Sequence, residues 1–471
     1  MRSNIRAFCA DHKFEGEKSF SAAALPVWRW SLQKRFALAL VLAFVPAALP
    51  AQSGYLYRYG TSTAGECPAA VAPGIDGRAL AAGALAIGGN NDALLMMLNA
   101  AGSLQSAKRI SGPGDDSFED VKRTADGGYI AVGATNSFGA GLFDGWIMKI
   151  TASGVPQWRR TFGSARDEHF VRVVQTKDRG YLALGDTNSP ETGNDLLLVK
   201  FNQAGGVMWK KTLATPGFDH ASGLAATADG GFLVSSNTDA AGGKTVGVLT
   251  KFTPPGGVLW SRTFTSSYNF HAGTGVLEAP DETIFFLQYV APQINVDNRS
   301  VLSHLSFSGN VLWSRIIRQG TIPIAAFSEV MTSDGGVIVA GETGSSPRKG
   351  VIVKIDSTGK LVWEKVMQLS GNSVSITSAA SDSSGASVLF SACVSPNTAT
   401  DLDAAVLRVP ESGGFEGGCG ALPSAPISVS GFGVTIGSNS FSQPEVPYST
   451  TVPPVAISGL AMPSGRVCSS P

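Results

Sequence analysis

Residues 126–135 read Asp126-Gly127-Gly128-Tyr129-Ile130-Ala131-Val132-Gly133-Ala134-Thr135, a turn pair followed by a small, apolar, strand-like run. Asp-Gly tolerates the positive φ of a two-residue hairpin loop, so it is expected to join strands Phe118–Thr124 and Tyr129–Thr135. The second strand is apolar throughout, as a strand packed on both faces would be. The stretch recurs at Asp178-Arg179-Gly180-Tyr181-Leu182, Asp229-Gly230-Gly231-Phe232-Leu233 and Asp334-Gly335-Gly336-Val337-Ile338, and more weakly from Asp76, Asp281 and Asp382. The seven starts are spaced 50, 52, 51, 52, 53 and 48 residues. A second marker keeps the same period: Trp158, Trp209, Trp260, Trp313 and Trp363 lie 51, 51, 53 and 50 residues apart. Two independent markers with one period define a repeat.

Outward from the hairpin, a Gly-rich loop (Asn136 to Phe143) leads to a third strand, Trp146–Ile150, and Gly154 turns the chain into a fourth, Val155–Phe162. Four antiparallel strands about every 50 residues, repeated radially, describe an all-β fold, a seven-bladed β-propeller. An α-solenoid is excluded because no segment has helical periodicity. Tyr55-Leu56-Tyr57-Arg58-Tyr59-Gly60 aligns with Trp158 to Gly163, a fourth strand lacking the other three, whereas the last unit has no tryptophan strand. The N-terminal strand is therefore expected to complete the last blade and close the ring, removing the open edge between its ends.

Composition agrees. Glycine is 56 of 471 residues, charged residues are 15%, and 36 Lys+Arg balance 36 Asp+Glu. A neutral, charge-poor chain lacks the basic face that nucleic-acid binding requires. A hydrophobic share of 43% excludes wholesale disorder. Phe36 to Pro50 (FALALVLAFVPAALP) is an apolar run preceded by Arg29, Lys34 and Arg35 and followed by small residues, which reads as a secretory signal peptide. It is short for a membrane span and contains Pro46, so no stable transmembrane anchor is expected after cleavage near Ala51. The expected organisation is an N-terminal extension and signal peptide (1–51), the propeller (54–418) and a Ser/Pro/Gly-rich C-terminal tail (419–471), the whole a secreted or periplasmic monomer. In an exported chain Cys67, Cys393, Cys419 and Cys468 permit two disulfides. Ring closure favours Cys67–Cys393, leaving Cys419–Cys468 to pin the tail. The tail is read as a strap or a disordered extension, with a small hairpin within Ser428–Ile436.

The units resemble the DGGY-type β-propeller repeats of secreted bacterial proteins, which carry D-G-G-Y-x-x-x-G-x-T, then D-x-W-x-x-K, then G-x-x-x-W. The best copy is Asp126 to Gly133 and Thr135, then Asp144, Trp146, Lys149, Gly154 and Trp158. The resemblance spans roughly residues 54–418 and implies a fold without implying a reaction. A looser similarity to quinoprotein and WD-type propellers is architectural.

Three histidines, His169, His220 and His271, are spaced 51 and 51 residues at the entrance to strand one of consecutive blades; Glu168 and Asp219 precede two of them. Three imidazoles are a metal-ligand set in other proteins, but a histidine at a strand entrance also serves by hydrogen-bonding a turn, and no metal or cofactor is assigned. The basic residues two after each tryptophan (Arg160, Lys211, Arg262, Arg315, Lys365) are read as edge-blunting side chains lying over apolar surface. Asp92, Asp144, Asp195 and Asp403, which open third strands, are read as turn caps. No G-x-S-x-G, H-E-x-x-H, EF-hand or P-loop motif occurs. The expected function is a non-enzymatic binding scaffold that uses one propeller face to engage a protein or glycan. The alternative is a propeller enzyme acting on carbohydrate at a channel mouth near His169, His220 and His271.

Overall fold

The computed structural model describes residues 54–471 apart from 62–63, 190–192, 241, 293–298, 320–321, 323, 345–346, 383, 397–401, 415–426, 432–433, 439–448, 452–455, 461, 463 and 470–471. The signal-peptide reading and Cys419 fall outside the described residues, as does the side chain of Cys468, and with them the Cys419–Cys468 pairing.

Every regular element among the described residues is a β-strand, and the repeat emerges as four-stranded antiparallel meanders. Unit two shows the pattern: Asp116–Arg123, Tyr129–Thr135, Asp144–Ile150 and Pro156–Gly163 pair in succession. Unit one begins at Gly65, unit three at Glu168, unit four at Asp219, unit five at Phe270, unit six at Ile324 and unit seven at Asn372. Units four and five are joined into one larger sheet by a single parallel bridge, Thr245 to Phe270. Unit seven contributes three strands of its own, and Tyr55–Tyr59 pairs antiparallel with its third, Asp403–Pro410. The N-terminal strand thus occupies the place held by the tryptophan strand in units two to six.

The hairpin turn differs from the expected two-residue loop. The Gly127 N–H donates to the Thr124 carbonyl at 2.9 Å and the Thr124 N–H to the Gly128 carbonyl at 2.8 Å, closing a three-residue loop. Only Gly127 has positive φ, 81°, as in a type I turn followed by a left-handed residue. Asp126 bends its carboxylate back to accept the Gly128 N–H at 3.1 Å and the Thr124 hydroxyl. Units three and five put Arg179 (φ 62°) and Glu282 (φ 65°) in the left-handed position.

All seven first strands carry a β-bulge at the same place, at Ala69, Glu119, Val171, Ser222, Thr274, Phe327 and Thr377. The bulge explains the glycine of the Tyr-x-x-x-Gly pattern. A Cβ at Gly133 would meet the Ser117 carbonyl oxygen at 2.0 Å, and one at Gly185 the His169 carbonyl oxygen at 1.9 Å. Only a residue without Cβ admits so close a backbone.

Core residues lie chiefly between sheets. Phe118, Tyr129 and Trp146 of unit two pack on Ala70, Leu80 and Leu95 of unit one in one buried cluster. The first strand of each unit packs on the unit before it, and Gly65–Pro73 of unit one packs on the first three strands of unit seven. Cys67 and Cys393 form a disulfide with Cα atoms 5.0 Å apart. Cys67 lies in the first strand of unit one and Cys393 in the second strand of unit seven, so the bridge joins first unit to last. Beside it the Thr377 hydroxyl donates to the Pro68 carbonyl at 2.6 Å.

The tail is a strap. Its strands pair antiparallel with outer strands in descending order: Ser428–Gly431 with unit five, Thr435–Ser438 with unit four, Ser449–Thr451 with unit two, Ala456–Leu460 with unit one and Ser464–Ser469 with the N-terminal strand. The hairpin expected within Ser428–Ile436 is replaced by two strands on different units. A neighbouring sheet edge supplies more backbone partners than four-residue strands supply to each other.

Candidate functional site

At the entrance to the first strand, a buried carboxylate ties the incoming loop. Glu168 is fully buried and accepts the Ser164 N–H at 2.8 Å, the Ser164 hydroxyl at 2.6 Å and the Thr187 hydroxyl at 3.1 Å. Asp219 accepts the Thr215 N–H at 2.6 Å and its hydroxyl at 3.0 Å. Asp116 of unit two, which no sequence signal singled out, does the same for Gly112, Thr135 and Ser137. Burial pushes all three carboxyls up, and these hydrogen bonds offset part of the rise.

The histidines that follow have unlike surroundings. His169 is half-buried, its ring 4.9 Å from that of Phe143, and burial lowers its pKa against the pull of Asp167. His220 is exposed, with Nδ1 3.1 Å from Asn194 Nδ2. His271 is 1% exposed. Its Nε2 is 2.8 Å from the Ser266 hydroxyl, and burial brings its pKa down to about 4 although the Gln288 carboxamide favours the charged form. Phe143, Asn194 and Ser266 come before the first strand of each histidine's own unit, whereas Gln288 belongs to the same unit as His271. No group of three or more His, Cys, Asp or Glu side chains suited to a metal ion occurs among the described residues. Asp186 is the residue that sequence reading missed here. It lies across the strand pair from His169 and accepts the Ala221 N–H, beside His220, at 2.7 Å; burial raises its carboxyl to about 7.

The remaining periodic residues serve chiefly contacts within their own units, with some reaching the next. Arg160, Arg262 and Arg315 lie over the tryptophan two positions earlier, 5.8, 5.6 and 5.2 Å from the ring centroids. Arg315 also donates to the Gly359 carbonyl in the next unit at 3.1 Å. Outer edges in five units are already covered by the tail, so these side chains act at seams more than as edge guards. Of the third-strand aspartates, Asp144 caps its loop by accepting the Ala140 N–H at 2.9 Å. Asp92 and Asp403 instead pair with Arg109 and Arg58. The lysine of the repeat reaches back to the hairpin aspartate: Lys149–Asp126, Lys200–Asp178, Lys251–Asp229 and Lys354–Asp334, at 2.9, 2.8, 3.2 and 2.7 Å.

A cavity of about 270 Å³ is lined by residues of all seven first strands, at and just after the bulges. The three histidines do not line it. Its charges come from units two, three and six: Glu119, Asp120, Lys122, Arg172 and Glu329. Asp120 is engaged, accepting the Val173 N–H at 3.0 Å and pairing with Lys122 at 3.1 Å. Glu119 accepts the Ser117 hydroxyl at 3.1 Å, and its pKa is raised by burial. Burial raises Glu329 to about 7, while Arg172 and Lys122 draw it down. Nothing periodic marks these residues, because the bulge position carries a different side chain in nearly every unit.

No family model and no curated protein matches the chain. Among solved structures it is similar to a protein of unknown function from Bacteroides caccae (12% identity, 60% of this chain and 90% of that one, TM-score 0.37). It is also similar to an unknown-function protein from Dyadobacter fermentans (12%, 76% and 100%, TM-score 0.45). A third is Sqt1 from Chaetomium thermophilum (10%, 75% and 99%, TM-score 0.37).

Proposed function

We propose that the seven units close into a seven-bladed β-propeller of the DGGY type, and that the protein is an exported, monomeric, non-enzymatic binding scaffold. Four features support the ring: the cyclic succession of packed units, the N-terminal strand in the last unit, the Cys67–Cys393 bridge and the Thr377–Pro68 hydrogen bond. A disulfide fits an oxidising compartment, in keeping with the signal peptide read at Phe36–Pro50. The observation that carries the binding role is a cavity lined by seven unequal first strands, with charged side chains from units two, three and six. Concave sites with a few convergent polar groups are where proteins hold ligands. The separate surroundings of His169, His220 and His271 favour structural duty at seams over the carbohydrate-enzyme reading. The test is a binding screen of the purified protein against glycans, peptides and small metabolites, with turnover assayed in parallel. Saturable binding without turnover, weakened by substitution at Glu329, is expected. Turnover that depends on the histidines and ignores Glu329 overturns the reading.

A further inference from the structure

We propose that the central cavity is a binding site for a small zwitterion, a free amino acid or a close analogue, with its ammonium on Glu329 and its carboxylate on Arg172. The inference rests on the ring reading above and adds the ligand's chemical class.

The lining is uneven. Units one, four, five and seven contribute only uncharged residues, Ala70, Gly223, Gly275 and Ala379 among them, while the charged side chains come from units two, three and six. The glycines make the room. A Cβ on Gly275 would stand 1.9 and 2.0 Å from the two Glu329 carboxylate oxygens, so that carboxylate lies directly against the bare backbone of unit five. A Cβ on Gly223 would in turn stand 2.9 Å from the Gly275 Cα. Larger side chains at these two positions would displace Glu329 and push strand one of unit five away, so the glycines set where that carboxylate sits.

The charges are poised without being spent on each other. Asp120 and Lys122 are paired, as described above. Arg172 gives one Nη1 hydrogen bond, at 2.7 Å, to the carbonyl of its neighbour Val171. Among the described residues neither Arg172 nor Glu329 has an ion-pair partner within contact distance, yet both line one cavity. Arg172 is also the strongest influence favouring the charged form of Glu329. Two opposite charges that attract but do not touch leave a gap that a molecule with one charge of each sign can bridge. Each end would form charge-assisted hydrogen bonds, and the planar guanidinium suits a carboxylate. A lone anion or lone cation would satisfy one wall and leave the other unpaired. At about 270 Å³ the space lies just below the ~300–1,000 Å³ of sites for drug-sized ligands, which selects a small molecule.

The test is calorimetric titration of the purified full-length protein with glycine, L-alanine, L-serine and L-glutamate, and with acetate and methylammonium as half-ligands. Saturable binding of at least one amino acid, with Kd of about 1 mM or tighter, is expected, and the half-ligands should bind about tenfold more weakly or not at all. Arg172→Gln and Glu329→Gln should each weaken binding about tenfold or more. Arg172→Lys, which keeps the charge but loses the fork, covers the case in which a neutral variant does not fold, and it too should weaken binding. Absence of saturable binding by any of the four amino acids, or binding unchanged in folded variants, overturns the proposal. Small-angle scattering and non-reducing peptide maps on the same samples separate the two levels. A closed ring that binds no amino acid refutes the ligand class alone, whereas an open arc refutes the ring and the site with it.

Discussion

Replacing both Cys67 and Cys393 with serine tests whether the first and last units are joined. The bridge spans 326 residues of sequence, almost the whole repeat array. Treated as loop closure in the unfolded chain, a cross-link of that length restricts the denatured ensemble by about 6 kcal/mol. Measured effects fall short of that relation, so a loss of about 3–5 kcal/mol is the expected outcome. The native state should change little, because Tyr55–Tyr59 stays paired with Asp403–Pro410 and the Thr377–Pro68 hydrogen bond remains. The unfolded state should expand, so the urea dependence should steepen as stability falls. Paired urea titrations of the oxidised protein and the double variant, followed by far-UV dichroism and tryptophan fluorescence, read both quantities. A midpoint and slope unchanged by the substitution would refute the reasoning, as would a peptide map joining Cys67 to Cys419.

Glu282→Gly removes a side chain from a left-handed turn position (φ 65°) and should raise stability by about 0.5–1 kcal/mol in the same titration; a decrease contradicts the turn assignment. Lys251 is fully buried between Asp229 at 3.2 Å and Glu278 at 3.3 Å, so Lys251→Met should cost about 3–5 kcal/mol by stranding the buried Glu278 carboxylate. His271 has a folded pKa of about 4, below its unfolded value, so the unfolded state binds the extra proton between about pH 6.5 and 4 and stability falls across that window as pH drops. Asp186 and Glu329, raised to about 7, act oppositely there, so the effect is read as a difference: His271→Gln should remove about 3 kcal/mol of pH dependence between those limits, and parallel pH profiles would contradict it. Deleting residues 428–471 uncovers outer strands in five units and should produce concentration-dependent self-association by light scattering, whereas an unchanged monomer would show that the strap does not guard the edges.

Some of this architecture is written plainly in the chain. Asp126-Gly127-Gly128-Tyr129 and Trp158 mark a hairpin and an outer strand because turn chemistry and aromatic packing restrict residue choice. The aromatic Tyr55–Tyr59 strand betrays its place because it must pack as its tryptophan counterparts do. Tyr55 lies against Gly102 of unit one as Trp158 lies against Gly205 of unit three. The bulge was illegible, since Ala69, Glu119, Val171 and Phe327 share no property; its position is enforced by backbone approach to the second strand, and only Gly133 and its counterparts hint at it. The tail's pairings were illegible because they are made backbone to backbone, to strands hundreds of residues away. The cavity charges escaped notice because Glu119, Arg172 and Glu329 come from separate units and are brought to one cavity only by the packing of those units. The histidines stood out through their period, yet a period reports equivalent positions around an array and carries no information on convergence.

Closure of that array is tested most directly by a crystal structure of the purified protein. The expected result is a ring of seven sheets with the Tyr57 backbone paired to Val406, Cys67 bonded to Cys393 and the seven bulges facing one channel. An open arc, with Tyr55–Tyr59 paired elsewhere and units one and seven apart, would contradict it.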